Sequence, residues 1–148
     1  MSNRPNPRTI ADRPLKALHS LFGYVHSSSL EETLTAIVYL RVSQINGCAY
    51  CMNLHALDLV RLGVAQEKVT LLPAWREVDA YTAREKSGLA WAEYLTKLTD
   101  TAFVPDSVYN AARDAFTEQE LIDLTWATAT MNTANRLNVA FQVPPEQG

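Results

Sequence analysis

Seven prolines, at positions 5, 7, 14, 73, 105, 144 and 145, divide the chain into three long proline-free stretches, 15–72, 74–104 and 106–143. Proline fixes φ and lacks the amide hydrogen that a helix interior needs, so the stretches it avoids are where long helices fit. Within them apolar residues recur at three- and four-residue spacing, and no segment alternates apolar and polar residues between turns as a half-buried strand does. The chain therefore reads as all-α, with about seven helices. Its 148 residues, 47% hydrophobic, suffice for one core and one domain, at 15–143. An extended N-terminal arm (1–14) and a C-terminal tail (144–148) flank it.

Start and stop signals refine the helices. Leu15, Leu18 and Phe22 predict a first helix of about two turns, ending near Gly23. Ser29 followed by Glu32 reads as a capping box opening a second, whose face carries Leu34, Ile37, Val38, Arg41 and Ile45. Asn46-Gly47 breaks that pattern, and a third helix is expected from about Cys48 to Leu62, closed by Gly63. A short helix from Gln66 to Leu72 meets Pro73. Thr82 with Glu85 and Thr117 with Glu120 form two further capping boxes, and Phe116 can staple onto Leu121. Asp106 to Ala115 reads as a short helix between those two, and the last helix is expected to continue toward Phe141.

Thirteen basic and sixteen acidic side chains give a net charge of −3, and the basic residues are scattered. That distribution argues against nucleic acid and anionic membrane as partners. No apolar run reaches the roughly 18 residues of a membrane helix, and the first residues lack the apolar segment of a secretory signal. A cytoplasmic protein is expected. So many amphipathic helices in so short a chain also predict a homo-oligomer, because their apolar faces cannot all be hidden within one copy.

The chemistry concentrates in Cys48-Ala49-Tyr50-Cys51-Met52-Asn53-Leu54-His55. Cysteines three apart at a helix start belong to redox or metal chemistry, and the positive end of the helix dipole favours a thiolate there. His55, four residues after Cys51 and seven after Cys48, shares their face and supplies a base. One thiolate could attack a peroxide oxygen and the other capture the sulfenic acid, giving a disulfide that a dithiol reopens. Dipole proximity favours Cys48 as the attacking thiol; the one-turn spacing to His55 favours Cys51. Two buried small side chains beside a satisfied histidine are the structural alternative. A zinc site would need a fourth ligand from His19 or His26, and haem attachment is excluded because Met52 follows Cys51. Tyr50 can donate a hydrogen bond to peroxide or thiolate, or simply pack. Arg41 and Arg136 interrupt apolar faces and call for partners; Asn132 and Asn135 read as polar groups between packed helices.

The segment Leu40-Arg41-Val42-Ser43-Gln44-Ile45-Asn46-Gly47-Cys48-Ala49-Tyr50-Cys51, with His55, resembles the signature of the alkylhydroperoxidase D (AhpD)-like proteins within the carboxymuconolactone decarboxylase superfamily. Trp75-Arg76-Glu77, the helix containing Ala90-Trp91-Ala92-Glu93, and Asn135-Arg136-Leu137-Asn138 extend the likeness over nearly the whole chain. The resemblance implies an AhpD-like helical bundle, trimeric or hexameric. It also implies a peroxidase-type oxidoreductase that takes a small hydroperoxide and is regenerated by a lipoyl or thioredoxin-like dithiol. In that scheme Cys51 attacks, Cys48 resolves and His55 relays the proton. No bound cofactor or metal is implied beyond the redox-active Cys48–Cys51 disulfide. The superfamily's lactone decarboxylase chemistry and a non-catalytic dithiol redox sensor are the alternatives. One position departs from the pattern: the glutamate expected twelve residues before the first cysteine is Ala36. The relay is then expected to end in bulk water, unless Glu32, one turn earlier and about 6 Å along the axis, substitutes.

Overall fold

In the computed structural model, which describes residues 3–145, every regular element is helical. The order is α1 (Pro7–Ile10), α2 (Asp12–His26), α3 (Glu32–Asn46), α4 (Ala49–Arg61), α5 (Gln66–Thr70), a 3₁₀ segment (Leu72–Glu77), α6 (Ala83–Thr96), α7 (Leu98–Thr101), α8 (Asp106–Ala115) and α9 (Glu118–Ala140). The all-α expectation holds among the described residues. The helix number does not: ten segments stand where about seven were expected, because α1, α7 and the 3₁₀ segment are one or two turns long and leave no periodic signature. Of the expected tail, 146–148 lie outside the described residues, as do the first two residues of the arm.

The N-terminal arm is not extended throughout. Pro7 occupies the first turn of α1, where a missing amide hydrogen costs nothing, and the Asn6 side chain accepts the Arg8 N–H at 2.9 Å. Helix α2 then starts at Asp12, with Pro14 in its first turn, and passes through Gly23 to His26. The Ser29–Glu32 box is also absent. Glu31 stands at the N-cap of α3 with no side-chain cap, and its carboxylate pairs instead with Arg84 at 2.8 Å. Both later boxes form as expected, Thr82 with Glu85 and Thr117 with Glu120.

Helix α3 is the central element. Its buried residues face in every direction, as expected of a helix enclosed on all sides. Val38 and Val42 join Leu124 and Met131 of α9 in one apolar cluster, while Ile37 and Leu40 join Leu59, Leu72 and Leu89 in another. A charged knot locks its C-terminal half. Arg41 Nε donates to Glu93 Oε1 at 2.7 Å, Trp75 Nε1 donates to the same oxygen at 2.9 Å, and Arg76 reaches Oε2 at 2.7 Å. Burial works against ionisation of Glu93, yet the bonds from Trp75, Arg41 and Arg76 together hold its carboxyl below the usual range. The partner that Arg41 required is thus Glu93. Arg136 is exposed and donates to the Asn132 side chain at 2.9 Å. Behind the end of α3, Asn46 Nδ2 donates to both Asn132 and Asn135, and Asn135 donates to Ser43 Oγ at 3.1 Å. These bonds fix the turn from which the next helix springs.

Candidate functional site

That turn is set by sequence. Gly47 has φ +67°, a left-handed conformation that glycine adopts without steric cost. The Gly47 N–H bonds the Gln44 carbonyl and the Cys48 N–H bonds that of Ser43, the pairing of a Schellman motif. The chain reverses into α4 with Cys48 as N-cap, and the Cys48 sulfur accepts the Cys51 N–H at 3.3 Å. Both cysteines are buried and joined in a disulfide, with Cα atoms 5.3 Å apart.

The two sulfurs differ in surroundings. Cys51 lines a cavity of about 460 Å³ together with His55, Tyr50, Leu54, Met131 and Asn138; Cys48 is not among its walls. Asn138, on α9, donates from Nδ2 to Cys51 Sγ at 3.2 Å. An amide donor at a sulfur favours the thiolate form when the disulfide is open. Tyr50, between the cysteines, packs as a buried ring under the Arg8 guanidinium, whose carbon lies 3.9 Å from the ring centroid. Its hydroxyl accepts an Arg8 N–H at 2.6 Å.

His55 is buried between two spaces, for it also lines a second cavity of about 480 Å³. There its Nδ1 lies 3.1 Å from Asp58 Oδ2, and its ring tilts against Tyr39, 5.1 Å between centroids. A carboxylate can only accept, so Nδ1 carries the hydrogen and Nε2 is left basic. Burial lowers the pKa of His55 below its ordinary value, and Asp58 offsets that only in part. The imidazole is therefore neutral near pH 7.

Ala36 and Glu32 both line this second cavity, so position 36 does lie on the face toward His55. Asp58, three residues on along α4, sets a carboxylate beside the imidazole, a residue the sequence reading does not name. Its signal was present, since positions i and i+3 are neighbours on a helix. Asn138 had no such signal: 87 residues separate it from Cys51, and only tertiary packing brings them together. Among the described residues no group of three or more His, Cys, Asp and Glu side chains is arranged to hold a metal ion, and both sulfurs are engaged with each other.

The carboxymuconolactone decarboxylase family matches residues 14–94, which include the whole of α3 and α4. The protein YdfG of Bacillus subtilis, itself uncharacterized, is 33% identical over 141 residues, 95% of each chain. A structure from Agrobacterium tumefaciens, of unknown function and proposed to be the antioxidant defence protein AhpD, superposes with a TM-score of 0.94 at 32% identity over the whole of both chains. An uncharacterized peroxidase-related protein from Ralstonia eutropha, described as an alkylhydroperoxidase AhpD core, shares the fold with a TM-score of 0.81 at 20% identity, over 94% of this chain and 75% of its own. The chain belongs to the carboxymuconolactone decarboxylase family and has its AhpD-like form.

Proposed function

We propose that the protein is a thiol-dependent hydroperoxide reductase that cycles through the Cys48–Cys51 disulfide. The observation that carries this reading is the pairing of Cys51, rather than Cys48, with a cavity that His55 also lines. In the reduced protein His55 Nε2 takes the Cys51 thiol proton. The thiolate attacks the terminal peroxide oxygen; the S–O bond forms, the O–O bond breaks, and the departing alkoxide takes the proton from the imidazolium to leave as alcohol. Cys48 then attacks the sulfur of the resulting sulfenic acid, and hydroxide leaves as water with the Cys48 proton. A lipoyl or thioredoxin-like dithiol reopens the disulfide. The descriptions of the Agrobacterium and Ralstonia relatives, antioxidant and peroxidase-related, agree with this reading.

In this scheme Asp58 is a positioning residue. Because its carboxylate raises the pKa of His55 against burial, Asp58→Asn lowers that pKa further. The acid limb of kcat/KM, where protonated His55 cannot accept the thiol proton, then moves to lower pH. General-base help is worth about 10² to 10⁴ in rate, and loss of the ring's orientation forfeits about tenfold of it. An unmoved limb with unchanged rate would remove Asp58 from the mechanism.

We also propose that the protein assembles with further copies of itself, as a trimer or hexamer. Ile122 and Trp126 on α9 are 54% and 48% exposed, and Leu57 and Val60 on α4 are 43% and 51% exposed. Such faces are usually covered. Light scattering should give a mass of three chains or more; a monomer at micromolar concentration would contradict this.

The functional reading itself is tested by following hydroperoxide consumption with lipoyl and thioredoxin-like dithiols as reductants, with muconolactone decarboxylation assayed in parallel. Dithiol-dependent turnover is expected. Decarboxylation without it would assign the lyase chemistry instead, and neither activity would leave the dithiol as a sensor.

A further inference from the structure

The cavity at Cys51 does not end at the dithiol. It shares Arg8, Leu15, His19, Phe22, Ala134 and Asn138 with a hollow of about 310 Å³ between α2 and α9, so the two adjoin along these side chains. The outer hollow is walled by Pro14, Leu18 and Leu137, the inner one by Leu54 and Met131. Among the described residues no aspartate or glutamate occurs across both sets of walls, although the chain as a whole carries −3. The charged or chargeable nitrogen groups there are all bases: Arg8, His19 and His55.

Arg8 occupies the junction, on the walls of both hollows. Tyr50 holds it there, ring under guanidinium and hydroxyl accepting from one terminal nitrogen. A guanidinium has five N–H donors in a rigid fork matched to a carboxylate. Its anchoring by Tyr50 reduces the entropy lost when an anion binds.

We propose that this pair of adjoining hollows selects organic hydroperoxides that carry a carboxylate on an apolar chain, such as fatty-acid hydroperoxides, with Arg8 holding the carboxylate. With the carboxylate at the junction, the chain runs inward past Leu54 and Met131 so that its peroxide group reaches Cys51, and any tail beyond the peroxide turns back toward the outer hollow. The chemistry is that of the hydroperoxide reductase reading, on which this inference rests: peroxide and protein dithiol become alcohol, water and disulfide, and a cellular dithiol restores the thiols.

The test compares kcat/KM for linoleic acid hydroperoxide and its methyl ester, both below their aggregation concentrations. A charge-assisted hydrogen bond predicts a preference for the acid of about tenfold, falling as ionic strength rises. Arg8→Gln should bring the ratio close to one, and Arg8→Lys should retain part of it. A ratio near one in the unaltered protein, or a preference that survives Arg8→Gln, would overturn the proposal. Binding of decanoate and of decanol to the oxidised protein decides the same point without turnover. Decanoate should bind more tightly, and Arg8→Gln should abolish the difference; equal binding in the unaltered protein refutes the anchor. If every hydroperoxide is inert while decanoate still binds through Arg8, the peroxidase reading fails and the anion site stands.

Discussion

Cys51→Ser is expected to lower hydroperoxide turnover by on the order of 10³-fold or more, because it removes the sulfur that meets the cavity and leaves the remaining thiol outside its walls. Cys48→Ser should fail differently. Its Cys51 can still be oxidised once, so one equivalent of peroxide disappears and the reaction then stops for want of a resolving thiol. A sulfenic-acid-specific probe such as dimedone should therefore label Cys48→Ser and not Cys51→Ser. Labelling of Cys51→Ser alone would exchange the two roles, and with them the part played by Asn138, whose amide lies 3.2 Å from the Cys51 sulfur.

The second large effect is on stability. Glu93→Leu strips the partner from Arg41, whose side chain is only 14% exposed, and leaves a largely buried guanidinium facing an apolar group. Removing one member of a buried ion pair costs about 3 kcal/mol or more, which for a chain of this size lowers Tm by about 10 °C. Arg76, half exposed, can turn to water and adds little. Combining Glu93→Leu with Arg41→Met should recover part of the loss, since replacing both members by apolar groups avoids the uncompensated charge, while the buried Trp75 N–H, left without its acceptor, retains the rest. A Tm for Glu93→Leu within a degree or two of the unaltered protein would show that the knot does not hold α3, α6 and the 3₁₀ segment together.

Much of the fold was legible because the signals were local. Gly47 and Gly63 stop their helices with positive φ, and Thr82 and Thr117 start theirs with complete capping boxes. The failures were local signals overruled by tertiary contacts. Gly23 carries a helix cost of about 1 kcal/mol relative to alanine, yet α2 runs through it because the next turn buries Val25 in the core. Ser29 and Glu32 have the spacing of a box, but the chain enters α3 two residues later, where Glu31 is drawn to Arg84 from α6.

The candidate site divides in the same way. Cys48, Cys51 and His55 lie within one helix and its cap, so spacing alone brought them together. Asp58 is equally local, one turn beyond His55 on α4, whereas the family pattern points to a carboxylate on α3, where Ala36 stands. Arg8 on Tyr50 and Asn138 on Cys51 join residues 42 and 87 positions apart. No periodicity within a helix reports such pairs.

A single-turnover experiment confronts the redox account without any assumed reductant. The fully reduced protein is mixed with one equivalent of an organic hydroperoxide and quenched with an alkylating reagent over time, and the cysteine state is read by mass spectrometry. The account predicts loss of one peroxide per chain, release of one alcohol, and a protein lighter by two hydrogens with Cys48 joined to Cys51, all at a rate that falls as pH drops through the pKa of His55. Persistence of two alkylatable thiols beside unconsumed peroxide would contradict it.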